Sequence, residues 1–246
     1  MINAFKEIEM SAPQRFSNGV TNVASSDPMG QLLFPDPTLC HIFFDDFNRY
    51  AAADWLITTT EAGDGSATEA IQDADGGVLL LTNAAGDNDL DFLQLSGDGG
   101  SSANEIFALE SGKKTWFKAR CKVSDATQSD FVIGLTDIDT TILDASDGVW
   151  FQKDDGDTNL DFHVAASSDA SSASAIATVA DDTYLVLAFY YDGKDTIEYW
   201  INGILEGTLA ADTLPSTEVT ITFGIQNGTT VAKTMSIDYI FVAKER

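Results

Sequence analysis

Two short acidic strings in this chain are near copies of each other, GDNDLDF at 86–92 and GDTNLDF at 156–162. Each follows a turn rich in Gly and Asp. In an extended strand alternate residues share a face, so Asp87, Asp89 and Asp91 are expected on one side and Leu90 and Phe92 on the other. The second copy sets Asp155, Asp157, Asn159 and Asp161 against Leu160 and Phe162 in the same way. Carboxylates two apart on a strand lie about 6 to 7 Å apart at the backbone, near the separation a glycosidase uses for its acid pair. A half-buried strand with its acidic side in water needs the same alternation, and that is the simpler account. Asp89, Asp91, Asp157 and Asp161 are therefore kept as candidate contacts for a carbohydrate or a cation.

Other chemistries find less support. Both strings begin like a calcium loop, with oxygen ligands at alternate positions. That loop needs Gly at its sixth place, where Phe92 and Leu160 stand instead. His41 and His163 are the only imidazoles, each inside a strand-like run, so a nucleophile with a histidine base is nearly excluded by count. The strings GxSxG, HExxH, CxxC, GxGxxG and the phosphate-binding loop are absent. Trp55, Trp116, Trp150 and Trp200 could stack on sugar rings, but each sits among apolar neighbours and suits a core. The expectation is a protein without catalytic residues, metal ligands or cofactor, and not an enzyme.

The elements that would hold these residues are strands. HIFFDDF, GVLLLTN, LDFLQL, TWFKARCKV, DFVIGLTDI, GVWFQK, LDFHVAA, TYLVLAFYYDG, TIEYWING, EVTITFGIQNG and MSIDYIFVAK are rich in β-branched and aromatic residues. Clusters of Gly, Asp, Asn and Ser separate them, and no long helical period intervenes. This predicts an all-β protein, a two-sheet antiparallel β-sandwich over residues 41–246. The low-complexity stretch AASSDASSASA at 165–175 suits the tip of a hairpin. Residues 1–40 differ: they hold four of the five prolines and show neither period, so they are expected to form an extended arm. The arm carries apolar anchors at Phe5, Phe16, Leu32, Leu33 and Phe34, with Arg15 beside them, and these are the candidate contacts to a partner surface.

Charge narrows the partners further. Asp and Glu number 39 against 13 Lys and Arg, a formal net charge of −26. Such a surface repels nucleic acid and anionic membranes, so neither is expected as a partner. No apolar run is long enough for a membrane helix, and the first residues lack the basic start and apolar run of a secretory signal. Synthesis in a cytoplasm is expected. Cys40 and Cys121 are too few for a disulfide framework, and whether they pair is left open.

Two resemblances add to this reading. The string LVLAFYYDGKDTIEYWINGILEGTL at 185–209 resembles the strand–turn–strand of concanavalin A-like and laminin G-like domains. Tyr191, Asp192 and Gly193 match the first turn, and Asn202 and Gly203 match the second, with FDDFN at 44–48 and SIDYIFVAK at 236–244 as first and last strands. That resemblance implies a jelly roll. The E-x-D-x-E strand of its glucanase members is absent, and Glu105 and Glu110 do not replace it. The strings FSNGVTNVASSDPMGQLLFPDPT, FFDDFNRYAAADW and SDFVIGLTDIDTTILDASDGVWFQKDDGDTNLDFH resemble virion proteins of tailed bacteriophages. This second resemblance implies a structural protein that decorates or cements the outer capsid surface. Its implied partner is the major capsid protein, met through the arm, and its implied assembly is a homo-oligomer, preferably a trimer. The alternatives are a lectin-like carbohydrate-binding module displayed on the virion towards host-surface glycans, and a tail or fibre component.

Overall fold

The structure is a computed structural model, and it describes residues 39–96, 105–167 and 169–246. In chain order the strands are β1 (Cys40–Asp45), β2 (Trp55–Thr60), β3 (Thr68–Gln72), β4 (Val78–Thr82), β5 (Leu90–Leu95), β6 (Thr115–Val123), β7 (Ser129–Thr136) and β8 (Gly148–Lys153). They continue with β9 (Asn159–Ala166), β10 (Asp169–Thr178), β11 (Leu185–Tyr191), β12 (Thr196–Ile201), β13 (Ile204–Ala210), β14 (Thr220–Asn227) and β15 (Thr234–Glu245). Short 3-10 turns at Ala52–Asp54 and Ile142–Asp144 are the helical content among the described residues. All strand pairs are antiparallel. One sheet runs β13-β12-β11-β6-β15-β4-β3, and β1 pairs with the C-terminal half of β15, collinear with β4. The other runs β10-β9-β8-β7-β14-β5-β2. This is the expected two-sheet jelly-roll sandwich.

Alternation builds the core between the sheets. On β6, Phe117, Ala119, Cys121 and Val123 point inward, and Trp116, Lys118, Arg120 and Lys122 point out. Phe117 stacks on Phe189 of the neighbouring β11 at 5.0 Å between ring centres, and Phe162 of the opposite sheet meets Phe189 at 6.0 Å. Each such ring removed from water contributes about 1.5–3 kcal/mol. Cys121 lies in this core and Cys40 on the outer face of the same sheet, so the two cysteines do not pair.

The turns match their chemistry. Asn202 (φ 51°) and Gly203 (φ 82°) form the β12–β13 reversal, with the paired positive φ angles that Asn-Gly adopts at little cost. The Asn202 side-chain oxygen also accepts the Val186 N–H at 2.9 Å, tying the turn to β11. The low-complexity stretch at 165–175 contains the tip of the β9–β10 hairpin, which reverses between Ala166 and Asp169, and its remainder continues into β10, a ten-residue edge strand that pairs with β9 through a register shift between Ala173 and Ala177. Small Ala and Ser side chains tolerate this edge position, where little packing is required.

Candidate functional site

The outer face of the seven-stranded sheet carries the densest set of chemically useful side chains. Register places them in lateral rows. Asp130 (β7) lies beside Gln226 (β14), and Gln226 lies beside Leu90 (β5). Asp154, one residue past β8, extends this row on the other side of Asp130. The next row is Asp161, Gln152, Val132, Gly224 and Phe92, and the one after is His163, Trp150, Gly134, Thr222 and Gln94. Gly224 is required here: a Cβ at that position would stand 2.3 Å from the Phe92 ring, which lies across the strand.

Hydrogen bonds hold the rows in place. Trp150 stacks on His163 at 5.2 Å between ring centres, with planes 11° apart. The Trp150 Nε1–H donates to Gln152 Oε1 (2.9 Å), and Gln152 Nε2 donates to Asp154 Oδ1 (2.8 Å). Burial holds the His163 pKa below its ordinary value, against the charges of Asp161 and Asp154. The segment 137–147 folds over part of this face. Gln94 Nε2 donates to the Asp137 carbonyl (2.9 Å), the Asp139 N–H donates back to Gln94 Oε1 (3.1 Å), and the Ile138 N–H donates to Glu105 Oε1 (2.9 Å). Leu143 and Ala145 then pack against a small apolar cluster of Phe92, Val132, Trp150 and Ala165.

Between that segment and β5 and β14 a groove of about 330 Å³ remains open, lined by Leu90, Phe92, Thr140, Thr141, Leu143, Asp144 and Gln226. Its floor is apolar and its rim carries hydroxyl, amide and carboxylate groups. Asp130 adjoins the rim through Gln226. Burial pushes its carboxyl up to about 6, with the charges of Asp155 and Asp154 adding to the shift, although the Asp155 N–H donates to it at 2.6 Å. A carboxyl with that value carries a proton part of the time near neutrality, as a general acid must.

The four sequence candidates fall in different places. Asp161 lies on this face and accepts the Ala175 N–H at 2.7 Å. Asp157 is exposed and closes its own turn, accepting from the Asn159 backbone (2.7 Å) and side chain (2.9 Å). Asp89 is fully buried. Burial opposes its charge, but N–H groups of Ala62 (2.6 Å), Gly63 (3.0 Å) and Gly86 (2.8 Å) outweigh this and hold its pKa below the ordinary range. Its role is to fasten a loop to a turn. Asp91 is also buried, and here the expected alternation is reversed: Asp91 shares the inner face with Leu93, while Leu90 and Phe92 point outward. The second copy follows expectation, with Leu160 and Phe162 in the core. Because both faces of β5 are covered, apolar residues on either side satisfy packing and the alternation alone does not choose. Phe5, Arg15, Phe16, Leu32, Leu33 and Phe34 lie outside the described residues.

Asp130, Asp144, Gln226 and Phe92 were not singled out by the sequence reading. The nearest signal to Asp130, Phe92 and Gln226 is a Gly inside each of two buried strands, in FVIGL and in TFGIQ, and nothing in the sequence marks Asp144. Among the described residues no group of three or more His, Cys, Asp or Glu side chains is arranged to hold a metal ion.

Comparison with known proteins supports the fold and stops there. No family model matches the chain, and no curated protein matches it. Solved structures do. A protein of unknown function from Shewanella oneidensis MR-1 is similar at TM-score 0.55 and 18% identity, over 84% of this chain and 87% of that one. A prokaryotic β-1,3-1,4-glucanase derived from a mouse hindgut metagenome is similar at TM-score 0.56 and 14% identity, over 83% and 98%. The carbohydrate recognition domain of Emp47p is similar at TM-score 0.56 and 12% identity, over 85% and 98%. Other glucanases and a glucuronan lyase from Trichoderma reesei share the fold as well. These likenesses carry no sign of a virion role. They overturn the expectation that the chain is not an enzyme, because the architecture it adopts is one that glycan-cleaving enzymes also adopt. That expectation rested on missing histidine and serine motifs and on the absent E-x-D-x-E string, whereas glycan cleavage needs only two carboxyl groups, which strands distant in sequence can supply.

Proposed function

We propose that this chain binds a neutral polysaccharide along the outer face of its seven-stranded sheet. The observation that carries this reading is the groove at Leu90, Phe92, Leu143, Asp144 and Gln226, apolar on its floor and polar on its rim. Sugar rings present the same combination, apolar C–H faces edged by hydroxyl groups, and such sites pair a mainly apolar lining with a few placed polar groups. The bound glycan is neutral because the protein carries a net charge of −26, Asp144 lines the groove and Asp130 adjoins its rim. Support from the fold is that a lectin domain and several glucanases are built on the same sandwich. The test is equilibrium binding of the full chain to neutral β-glucans and to uronate-rich or sulfated glycans of equal length. Neutral glucans bind, charged ones do not, and Gln226→Ala weakens binding at least tenfold. Equal affinity for the charged glycans, or none for any neutral one, overturns the proposal.

A second reading is favoured by Asp130. Its raised carboxyl lies one strand from Asp154, with the backbones about 5 Å apart, so the two side chains leave neighbouring positions on one face, as a pair of catalytic carboxyl groups must. In this reading Asp130 protonates the leaving oxygen of a glycan held in the groove, and Asp154 faces the sugar from the adjoining strand. Release of reducing ends from a bound glucan, lost in Asp130→Asn, selects it over binding alone. The placement on a phage particle, with a capsid protein as partner, a trimeric state and the arm as attachment, is proposed on the sequence resemblance only. It concerns where such a glycan-binding face would be displayed.

A further inference from the structure

A second opening lies where β1 of the eight-stranded sheet faces β2 of the seven-stranded one. Two adjoining cavities form it, of about 290 Å³ and about 350 Å³, and both are lined by Phe43, Asp45, Asp54 and Trp55. Register explains why these four residues meet. Phe43 and Asp45 of β1 stand opposite the core residues Val242 and Ile240 of β15, so both turn inward. Trp55 opens β2 opposite Leu95 and also faces the core, where it meets Phe43 edge-on at 6.3 Å. Asp54 closes the short turn before β2, and its carbonyl accepts the Ser96 N–H at 2.9 Å, which holds that turn to the end of β5. The larger cavity reaches Arg49 and Tyr50, and the smaller runs between the sheets past Leu95 to Ile106.

We propose that this cleft binds a small organic ammonium carrying an apolar group, its charged head between Asp45 and Asp54 and its apolar part in the slot towards Leu95 and Ile106. Both carboxylates have capacity for it. Asp45 accepts the Phe47 N–H at 2.8 Å through Oδ1. Among the described residues its Oδ2 and the Asp54 carboxylate have no hydrogen-bond or ion-pair partner. Burial holds the Asp45 carboxyl above its ordinary range, against the Phe47 N–H and the charge of Arg49. A cation seated beside Asp45 offsets that cost. Aromatic rings attract a cation as well, and Phe43, Tyr50 and Trp55 line the same space. The charged lining groups are two carboxylates and one exposed guanidinium, and the chain as a whole carries −26, so an anion is repelled and a cation drawn in. A mainly apolar slot that ends in a few placed polar groups is the usual form of a small-molecule site. This cleft is separate from the glycan groove, which lies on the outer face of the seven-stranded sheet at the other end of β5.

Chemical-shift titration of the full chain with three probes of similar shape tests this: phenethylamine, a cation at neutrality; phenethyl alcohol, uncharged; and phenylpropionate, an anion. The amine gives saturable shifts at Phe43, Asp45, Asp54, Trp55 and Leu95, the alcohol binds at least tenfold more weakly, and the carboxylate does not bind. The double variant Asp45→Asn with Asp54→Asn keeps the shape of both side chains and an acceptor for the Phe47 N–H. It lowers the affinity for the amine at least tenfold and leaves that for the alcohol unchanged, which separates lost charge from a lost cleft. Arg49→Gln, at an exposed position, raises the affinity for the amine at least twofold, and it decides the matter where the double variant loses the alcohol too. Equal affinity for alcohol and amine overturns the proposal, because it leaves only an apolar slot. Binding of the carboxylate in preference to the amine overturns it, as does the absence of saturable amine binding. Amine affinity that neither the double variant lowers nor Arg49→Gln raises overturns it equally.

Discussion

Replacing Asp91 with Asn should change how stability depends on pH, in a direction fixed by the inner face of β5. The Asp91 side chain is 0% exposed, and neither of its oxygens meets an N–H or O–H donor. Its neighbours are carboxylates, Glu69 of β3 first and Glu61 next, with the Tyr50 hydroxyl donating to Glu69 at 3.4 Å. Burial, followed by the charge of Glu69, pushes the Asp91 carboxyl up to about 8. The native protein therefore holds Asp91 protonated at neutrality, donating to Glu69 across the two sheets. The unfolded chain releases that proton above the ordinary value of 3.8. Between those values the native state binds more protons, so this group's contribution to stability falls as pH rises, by about 1.4 kcal/mol per unit. It is fully present below about pH 4 and lost by about pH 8. Asparagine cannot titrate, and its amide can still donate to Glu69. Urea unfolding of both proteins from about pH 4 to about pH 9 should show Asp91→Asn gaining on wild type by about 3 kcal/mol between pH 5 and pH 7, then levelling off above pH 8. Taking the difference between the two proteins removes the general effect of the net charge. A stability difference that stays flat across this range refutes the reasoning, because it means that Asp91 is ionised in the folded protein.

Two other substitutions probe the frame around the site. Asn227 is buried, donates to the carbonyls of Ala84 (2.8 Å) and Gly86 (2.9 Å), and accepts from Asn83 Nδ2 and the Lys233 N–H (each 3.0 Å). Asn227→Ala strands these groups and should cost roughly 3 kcal/mol in urea unfolding, with an unchanged slope. Gly203→Val forces a β-branched residue into a left-handed turn position and should cost about 1–2 kcal/mol, read as a lower thermal midpoint.

What the sequence could and could not reveal follows from which faces are covered. Strands such as β6 alternate cleanly because one side is core and the other is charged, so TWFKARCKV is legible at sight. The Asn202-Gly203 turn is legible because few other residue pairs accept its backbone angles. On β5 both faces carry apolar residues, which is why the side facing inward was misjudged and Asp91 was expected in water. On β7 every residue is buried, so nothing in SDFVIGLT separates Asp130 at the rim of a site from a residue of the core. The groove depends on segment 137–147 lying across two strands that are distant in sequence, a relation that no local pattern encodes. The absence of an E-x-D-x-E string suggested that no carboxyl pair was present. Asp130 and Asp154 are neighbours only through the pairing of β7 with β8.

Chemical-shift mapping of the full chain during titration with a neutral β-glucan oligosaccharide tests the central claim most directly. The account predicts saturable shifts centred on Leu90, Phe92, Asp130, Asp144 and Gln226, with the 190–207 hairpin and the outer face of the eight-stranded sheet unchanged. Shifts centred on that opposite sheet, or none at saturating oligosaccharide, would contradict it.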